Sequence, residues 1–600
     1  MSRPADEQPS VSPARPADSA GGVPVAAEDA RSSEDEVRSS EDGARSLEGE
    51  ARPFGEAVVV GAGVAGLLAA RALSDSFRRV TLVERDRLGT GRAPRSGVPQ
   101  AHHIHALTTR GGALIEAMFP GFRQELSEAG APVFDAGADA RALFADGWAP
   151  RSGTMGVRLQ AFTRPFLEFH LRRRVVALPG VRLRDGCRVV GLDTARGRVT
   201  GVTAHDRSTD PGVRDADAGT GTGVRDADVG TGTGTGTGVR DADVGTGTGT
   251  GVRNTGTGAA GRNAGTFVLK ADLVVVAAGR SSHLPTWLAD LGLPHPRETV
   301  LDAPVGYASR LYDNPGGRWP DWVLMVEFLQ APSVRRGCFA TRVEEGRFFV
   351  TLQGVGDDRP PHGDEGFAEF AGSLRAPLAD VLAPLRPRTS PRTYALTGNR
   401  RLAYHRLRRW PDGLVALGDA VCVFNPVYGQ GMGVAALEAA LLREVLAPHA
   451  RRAAALPGAS PSPSPYASLP PGVTRRFQRR LARLTLEPWL LSTSTDWGWQ
   501  QRAPSLPHRM ALWYLRGVLR ASTTEPEVYT RFVRVLNMLS RPTALLHPRV
   551  VTKVLAGGLP TRARVRTRTR VRPRARTRRR ARSGTARGAG GGAEQVGPGP

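Results

Sequence analysis

Lysine is nearly missing from this chain. Of 82 basic residues only Lys270 and Lys553 are lysine, so the rest are arginine. Cysteine is almost as scarce: Cys187, Cys338 and Cys422 are odd in number and far apart. They exclude a disulfide framework and a Cys-rich zinc site, and they fit a reducing compartment. No apolar run approaches the roughly 18 residues a membrane span needs, so no transmembrane helix is expected. The first residues offer no basic n-region and no apolar h-region, so a secretory signal is not expected either. A cytoplasmic protein is the expectation. The arginine skew, with abundant Ala, Gly and Pro, resembles GC-rich bacterial coding of the actinomycete kind.

Glycine and proline are plentiful instead, at 72 and 46 of 600 residues. Such an excess predicts sizeable segments outside any packed core. The net charge of +25 is unevenly spread. Residues 1–50 carry 12 acidic and 5 basic groups, whereas residues 561–600 carry 13 arginines and one glutamate. The first 53 residues form an acidic tail with a seven-residue echo, RSSEDEV, RSSEDGA and RSLEGEA. No position of that echo is reliably apolar, which argues against a coiled coil. The last stretch, 557–600, alternates Arg with small residues and has no aromatic residue. It is suited to loose contact with anions, and no specific nucleic acid is expected as a partner.

A third low-complexity block, 207–265, repeats GVRDAD and GTGTG at irregular spacing. Irregular spacing excludes a solenoid and a calcium-binding nonapeptide register. Strand-like runs flank it, 198–204 and 266–279, so the block is expected to be an expanded hairpin loop. Lengthening a loop from about 5 to about 60 residues costs only about 2 kcal/mol of closure entropy.

The strongest chemical signal is AVVVGAGVAGLLAARAL, 57–73. An apolar strand runs into Gly61-Ala62-Gly63-Val64-Ala65-Gly66 and then into an Ala-rich helix. Gly61 permits the tight turn, Gly63 lets a pyrophosphate approach the backbone, and Gly66 allows helix and strand to pack closely. The free N–H groups of the helix start would hold the phosphates. A second strand-like run, 80–85, carries Glu84 near its end, placed to accept both ribose hydroxyls of an adenosine. The motif alone fits NAD or FAD.

A second strand–loop–helix, PDGLVALGDAVCVFNPVYGQGMGVAALEAALL (411–442), carries Gly418-Asp419 and then Gly429, Gly431 and Met432. Here the chain resembles the FAD-dependent monooxygenases of the aromatic-hydroxylase and squalene-epoxidase type. The resemblance implies that Gly418-Asp419 binds the ribityl chain of FAD and that the following helix start faces the flavin. RSGVPQAHHIHAL (95–107) is similar to the loop of bacterial polyether-type epoxidases, with Arg95, Gln100, His103 and His105 on the pattern. By the same resemblance Arg85, Arg164, Val189 and Gly279 also fall at the cofactor.

The implied fold is α/β: a Rossmann-like FAD-binding domain of glutathione-reductase type, an interleaved strand-rich substrate domain and a helical C-terminal region. Its FAD-binding parts are 54–206, 266–295 and 411–450, with substrate domain 296–410 and helical region 471–556. The implied activity is insertion of one oxygen atom from O₂ through a flavin C4a-hydroperoxide, by epoxidation or hydroxylation of a hydrophobic natural-product-type substrate. NADPH or NADH would donate electrons transiently, or a separate flavin reductase would. Such chemistry asks little acid–base machinery of the protein, and no catalytic triad or dyad stands out. Tyr307, Arg310, Phe328 and Phe349 are candidates to line the substrate pocket.

Other readings have weaker support. His102, His103 and His105 lack Cys, Asp or Glu at ligand spacing, so no metal is expected. Trp497-Gly498-Trp499 resembles the tryptophan pair of flavin-dependent halogenases but lies too far along the chain. The lysine those enzymes use is also missing before Lys270. Trp489, Trp513 and Tyr514 suit core packing better than peripheral membrane contact. Two alternatives stay open: a dehydrogenase or saturase of the same fold, and an Arg-tailed nucleic-acid or anionic-surface binding protein.

Overall fold

The computed structural model describes residues 52–95, 97–209, 265–395, 397–455, 466–499 and 505–558. The acidic tail up to residue 51, residues 210–264 of the repeat block and the arginine-rich tail from 559 lie outside the described residues.

Near-continuous Val, Leu and Ala runs dictate a sheet covered on both faces. Strands Phe54–Val60, Phe77–Val83, Val181–Arg184, Leu273–Val276 and Leu414–Ala416 form one five-stranded sheet. Every pairing in it is parallel, with Phe54–Val60 at the centre. Helices Val64–Ser74 and Gly431–Ala454 pack together against it in the main core. The two glycine motifs are therefore brought side by side, although some 350 residues separate them.

The run 266–279 is not one strand, as its composition suggests. Thr266–Lys270 pairs antiparallel with Arg198–Asp206, whereas Leu273–Val276 enters the parallel sheet. The change falls at Ala271-Asp272, where Asp272 accepts the Glu56 N–H at 2.9 Å. The flanks of the repeat block do form a hairpin, Gly201 facing Lys270 and His205 facing Thr266.

The second large sheet is mostly antiparallel. Val305–Asp313, Leu324–Glu327, Arg336–Val343 and Arg347–Val355 make its centre. Ala140–Phe144, from much earlier in the chain, joins it parallel to Leu324–Glu327. One face packs on Phe367 and Phe370 of helix Asp364–Gly372, and the other turns toward the parallel sheet. Alternation along each strand decides the face. Ala308 and Tyr312 pack in the helix-side core, while Tyr307 faces the interior.

Helices Val473–Leu484, Leu486–Asp496, Leu506–Ala521, Pro526–Leu536 and Pro548–Gly558 complete the body. Trp489 is buried, and Tyr514 donates to the Leu545 carbonyl at 2.5 Å. Trp513 departs from the core-packing expectation: it is 52% exposed, on the outer side of its helix with Leu506 and Met510. Among the described residues no helix is long and apolar enough to cross a membrane.

Candidate functional site

One cavity of about 1440 Å³ runs between the two sheets. It exceeds the roughly 300–1,000 Å³ of a usual single-ligand pocket. At one end it is lined by Gly61, Gly63, Glu84, Arg85, Arg95 and Val189, and further along by His105, Arg164, Gly279, Gly418 and Asp419. Gly429, Gly431 and Met432 border it at the start of the long helix. Of the residues assigned to the cofactor from sequence, Gly66 alone does not line it. A side chain there would stand 1.8 Å from the Gly61 carbonyl oxygen, so Gly66 serves packing.

The glycines differ in what they permit. Gly61 has φ +100°, and a Cβ would meet the Ala277 carbonyl oxygen at 2.5 Å. Both features require glycine. At Gly63 a Cβ would meet only Arg95 Nη2, at 3.6 Å. The backbone there is open to the cavity, as a cradle for a phosphate must be.

Glu84 is buried and already engaged. Its Oε2 accepts the Ala62 N–H at 2.8 Å and pairs with Arg95 Nη1 at 3.0 Å, and its Oε1 accepts the Asp86 N–H at 3.1 Å. A carboxylate offers about four acceptor positions. One position remains, enough for one ribose hydroxyl rather than the two expected. Arg95 also bonds Glu168 and the Ala62 carbonyl, and Glu168 accepts from Arg164 Nε at 2.8 Å. This ladder fixes the 95–107 loop against the first glycine motif.

Asp419 lines the cavity, and among the described residues its carboxylate has no hydrogen-bond partner. Burial raises its pKa, against the pull of the Arg164 and Arg280 guanidinium groups. Such an unsatisfied carboxylate suits the hydroxyls of a polyol chain. Glu438, which sequence reading missed, accepts the Gly418 N–H at 2.6 Å and is almost fully buried. Burial pushes it up to about 8, and the neighbouring Asp419 adds to the rise. Its signal in the sequence was a glutamate inside an Ala/Leu-rich helix. The open backbone at Gly63, the unpartnered Asp419 and the uncapped helix start at Gly431 together fit FAD. Gly63 and the helix start at Val64 would hold the pyrophosphate, Glu84 the ribose, and Asp419 the ribityl chain.

His105 directs Nδ1 to the His103 carbonyl at 2.8 Å, and burial with the nearby Arg164 pushes it down to about 3. Among the described residues no group of three His, Cys, Asp or Glu could hold a metal. No lysine lines the cavity, and of the Trp497–Trp499 turn only Trp499 does.

Beyond the glycine motifs the cavity becomes an apolar chamber. Tyr307 and Phe328 line it, as expected. Arg310 does not: it lies on the opposite face of its strand and pairs with Asp364 at 3.0 Å. Phe349 is buried but does not reach the cavity lining. The sequence points to the strand-rich segment as the roof and not to the C-terminal helices. Leu491, Leu515, Leu519, Tyr529, Phe532 and Leu536 of the C-terminal helices close the chamber. Their helical periodicity was visible, but not the partner of their buried face.

Residues 59–113 match the model of an NAD(P)-binding Rossmann-like domain. The chain is 30% identical over 495 residues to Protein Rv3254 of Mycobacterium tuberculosis (strain ATCC 25618 / H37Rv), covering 81% of this chain and 90% of that one. Among solved structures, a flavoprotein/dehydrogenase from Cytophaga hutchinsonii is similar with TM-score 0.51 and 13% identity, covering 84% of this chain and 99% of its own. The p-nitrophenol 4-monooxygenase PnpA of Pseudomonas putida DLL-E4 gives TM-score 0.50 and 15% identity, over 82% and 99%. The flavin-dependent brominase Bmp2 gives 0.50 and 12%, over 84% and 99%. The chain therefore belongs to the family of Protein Rv3254 and has the fold of the FAD-dependent monooxygenases.

Proposed function

We propose that this protein is an FAD-dependent monooxygenase that places one oxygen atom from O₂ into a hydrophobic substrate, by epoxidation or hydroxylation. The observation that carries the reading is a single cavity whose one end suits FAD and whose other end is an apolar chamber of Phe, Leu, Val and Ala side chains. When bound, FAD would supply activation of O₂. The chain's own residues bind it, orient the substrate and exclude water, which is what such chemistry demands of a protein. NADPH or NADH would donate the electrons, or a separate reductase would. The cavity offers a single dinucleotide motif, which supports a transient encounter with the nicotinamide.

A dehydrogenase or saturase of the same fold is the second reading, favoured by the same apolar chamber. Halogenation is disfavoured by the lack of a lysine along the cavity. Turnover under ¹⁸O₂ separates these. One labelled oxygen in the product supports the monooxygenase. A product with an altered number of C=C bonds and no new oxygen overturns it.

A further inference from the structure

A short polar chain lies at the wall of the cavity, where the strand-rich sheet meets the 95–107 loop. Ser309 and Thr351 face each other across paired strands, their hydroxyls 2.7 Å apart. Ser309 Oγ is 2.8 Å from Nδ1 of His103. The Ile104 N–H donates to Thr351 Oγ1 at 3.3 Å. His103, Ser309 and Thr351 are all buried. Tyr307 meets the His103 ring edge-on, with centroids 4.7 Å apart, and Tyr394 lies at 5.4 Å.

Hydrogens can be placed along this chain in one consistent direction. Thr351 Oγ1 accepts from Ile104 and must still donate its own hydrogen. Among the described residues its available acceptor is Ser309 Oγ. Ser309 then donates to Nδ1 of His103. With Nδ1 accepting, the proton of a neutral imidazole sits on Nε2. The reverse direction leaves the Thr351 hydrogen without an acceptor among the described residues, so that only the contents of the cavity, which Thr351 lines, could take it. An imidazolium has the same fault, because its Nδ1 must donate. Burial also pushes His103 down to about 3, with repulsion from His105 and His102 added.

His103 lines the cavity, and its Nε2 has no partner among the described residues and is not sealed off from the open space. Tyr307 and Tyr394, the two rings packed on His103, line the same cavity. A neutral donor there matches a neutral acceptor. A carboxylate loses far more hydration than a carbonyl on entering, and one neutral N–H offsets the smaller loss only.

We infer that His103 is a neutral Nε2–H donor, fixed in that tautomer by Ser309 and Thr351, that seats a carbonyl oxygen of an otherwise apolar substrate. The substrate half rests on the proposed function, and the tautomer half does not. Two experiments test them separately. In the FAD-loaded full chain with ¹⁵N-labelled histidine, the signals lost in His103→Gln identify His103. At pH 7 they are expected to show a protonated Nε2 and a bare Nδ1, and Thr351→Val is expected to mix the two tautomers. A protonated Nδ1 in the unsubstituted protein overturns the assignment.

The second experiment titrates 2-acetylnaphthalene and 2-ethylnaphthalene, read by the change in flavin absorbance. The ketone is expected to bind about tenfold more tightly, the upper range for one hydrogen bond. His103→Phe is expected to erase the preference, and His103→Gln to keep part of it. Equal binding of the two probes to the unsubstituted protein overturns the substrate half. A fixed tautomer without turnover of any oxygenation substrate would count against the proposed function alone.

Discussion

Tyr428, which lines the cavity, donates its hydroxyl hydrogen to Asp496 at 2.7 Å, across 68 residues of sequence. Asp496 belongs to a C-terminal helix and is fully buried. It also accepts from Asn399 Nδ2 at 2.6 Å and Asn425 Nδ2 at 3.1 Å. Asn399 Oδ1 in turn takes the Asn425 N–H and the Ser492 hydroxyl. One carboxylate thus ties the helical roof to the loop that leads into Gly429 and Gly431.

Removing that carboxylate is expected to be costly. Asp496→Ala leaves up to three buried donors without an acceptor, each worth about 1–3 kcal/mol. Thermal unfolding should show a fall of several degrees, together with weaker flavin retention. An unchanged melting temperature would show that the network is dispensable.

Asp496 also predicts a pH trend. Burial raises its pKa to about 6, against hydrogen bonds from Tyr428, Asn425 and Asn399. An unfolded aspartate ionises near 3.9. Between about pH 4 and 6 the unfolded chain therefore sheds a proton that the folded chain keeps. Stability falls as pH rises through that window, by about 3 kcal/mol from this group, and levels off above it. Other carboxyls with lowered pKa, such as Asp358 and Glu527, act in the opposite sense. The difference between the unsubstituted protein and Asp496→Asn isolates the effect. The variant's deficit should shrink from pH 4 to pH 7, and a constant deficit would contradict the assignment.

Two glycines three residues apart should fail differently. Gly63→Val is expected to fold, because only Arg95 Nη2 lies near, and to lose FAD because the side chain fills the phosphate cradle. Gly66→Ala forces a methyl group against the Gly61 carbonyl and should lower stability by about 1–3 kcal/mol or more. Circular dichroism melts beside flavin content distinguish them. Full flavin occupancy in Gly63→Val would refute the phosphate assignment.

Asp419→Ala should weaken FAD binding without unfolding the chain, since among the described residues its carboxylate holds no partner. Charge-assisted hydrogen bonds contribute about 1.5–3 kcal/mol, so affinity should fall roughly 10- to 150-fold. Fluorescence titration of the apoprotein with FAD measures it.

Replacing 210–264 by a short Gly-containing turn should leave folding intact. The hairpin closes on itself next to the block, with the Asp206 N–H bonded to the Gly265 carbonyl at 2.9 Å. Insoluble protein after the exchange would show that the block is needed for folding.

Much of this arrangement was legible because its signals are local. A glycine turn after an apolar strand, a Gly-Asp pair before a helix, and alternation along Val305–Asp313 each need only a short window of sequence. What stayed hidden depends on long-range placement. Alternation put Arg310 on a strand but could not say which face meets the cavity. Phe328 and Phe349 looked alike until the sheet brought only Phe328 to the cavity lining. Asp496, Glu438 and the roofing leucines act through partners tens to hundreds of residues away. Only the folded chain brings those pairs together.

The most direct test of the whole account is the flavin content of the purified full chain. A visible spectrum with flavin bands, and release of FAD in near-equal molar amount on heat denaturation, is the predicted result. A colourless protein that takes up no FAD on reconstitution would contradict it.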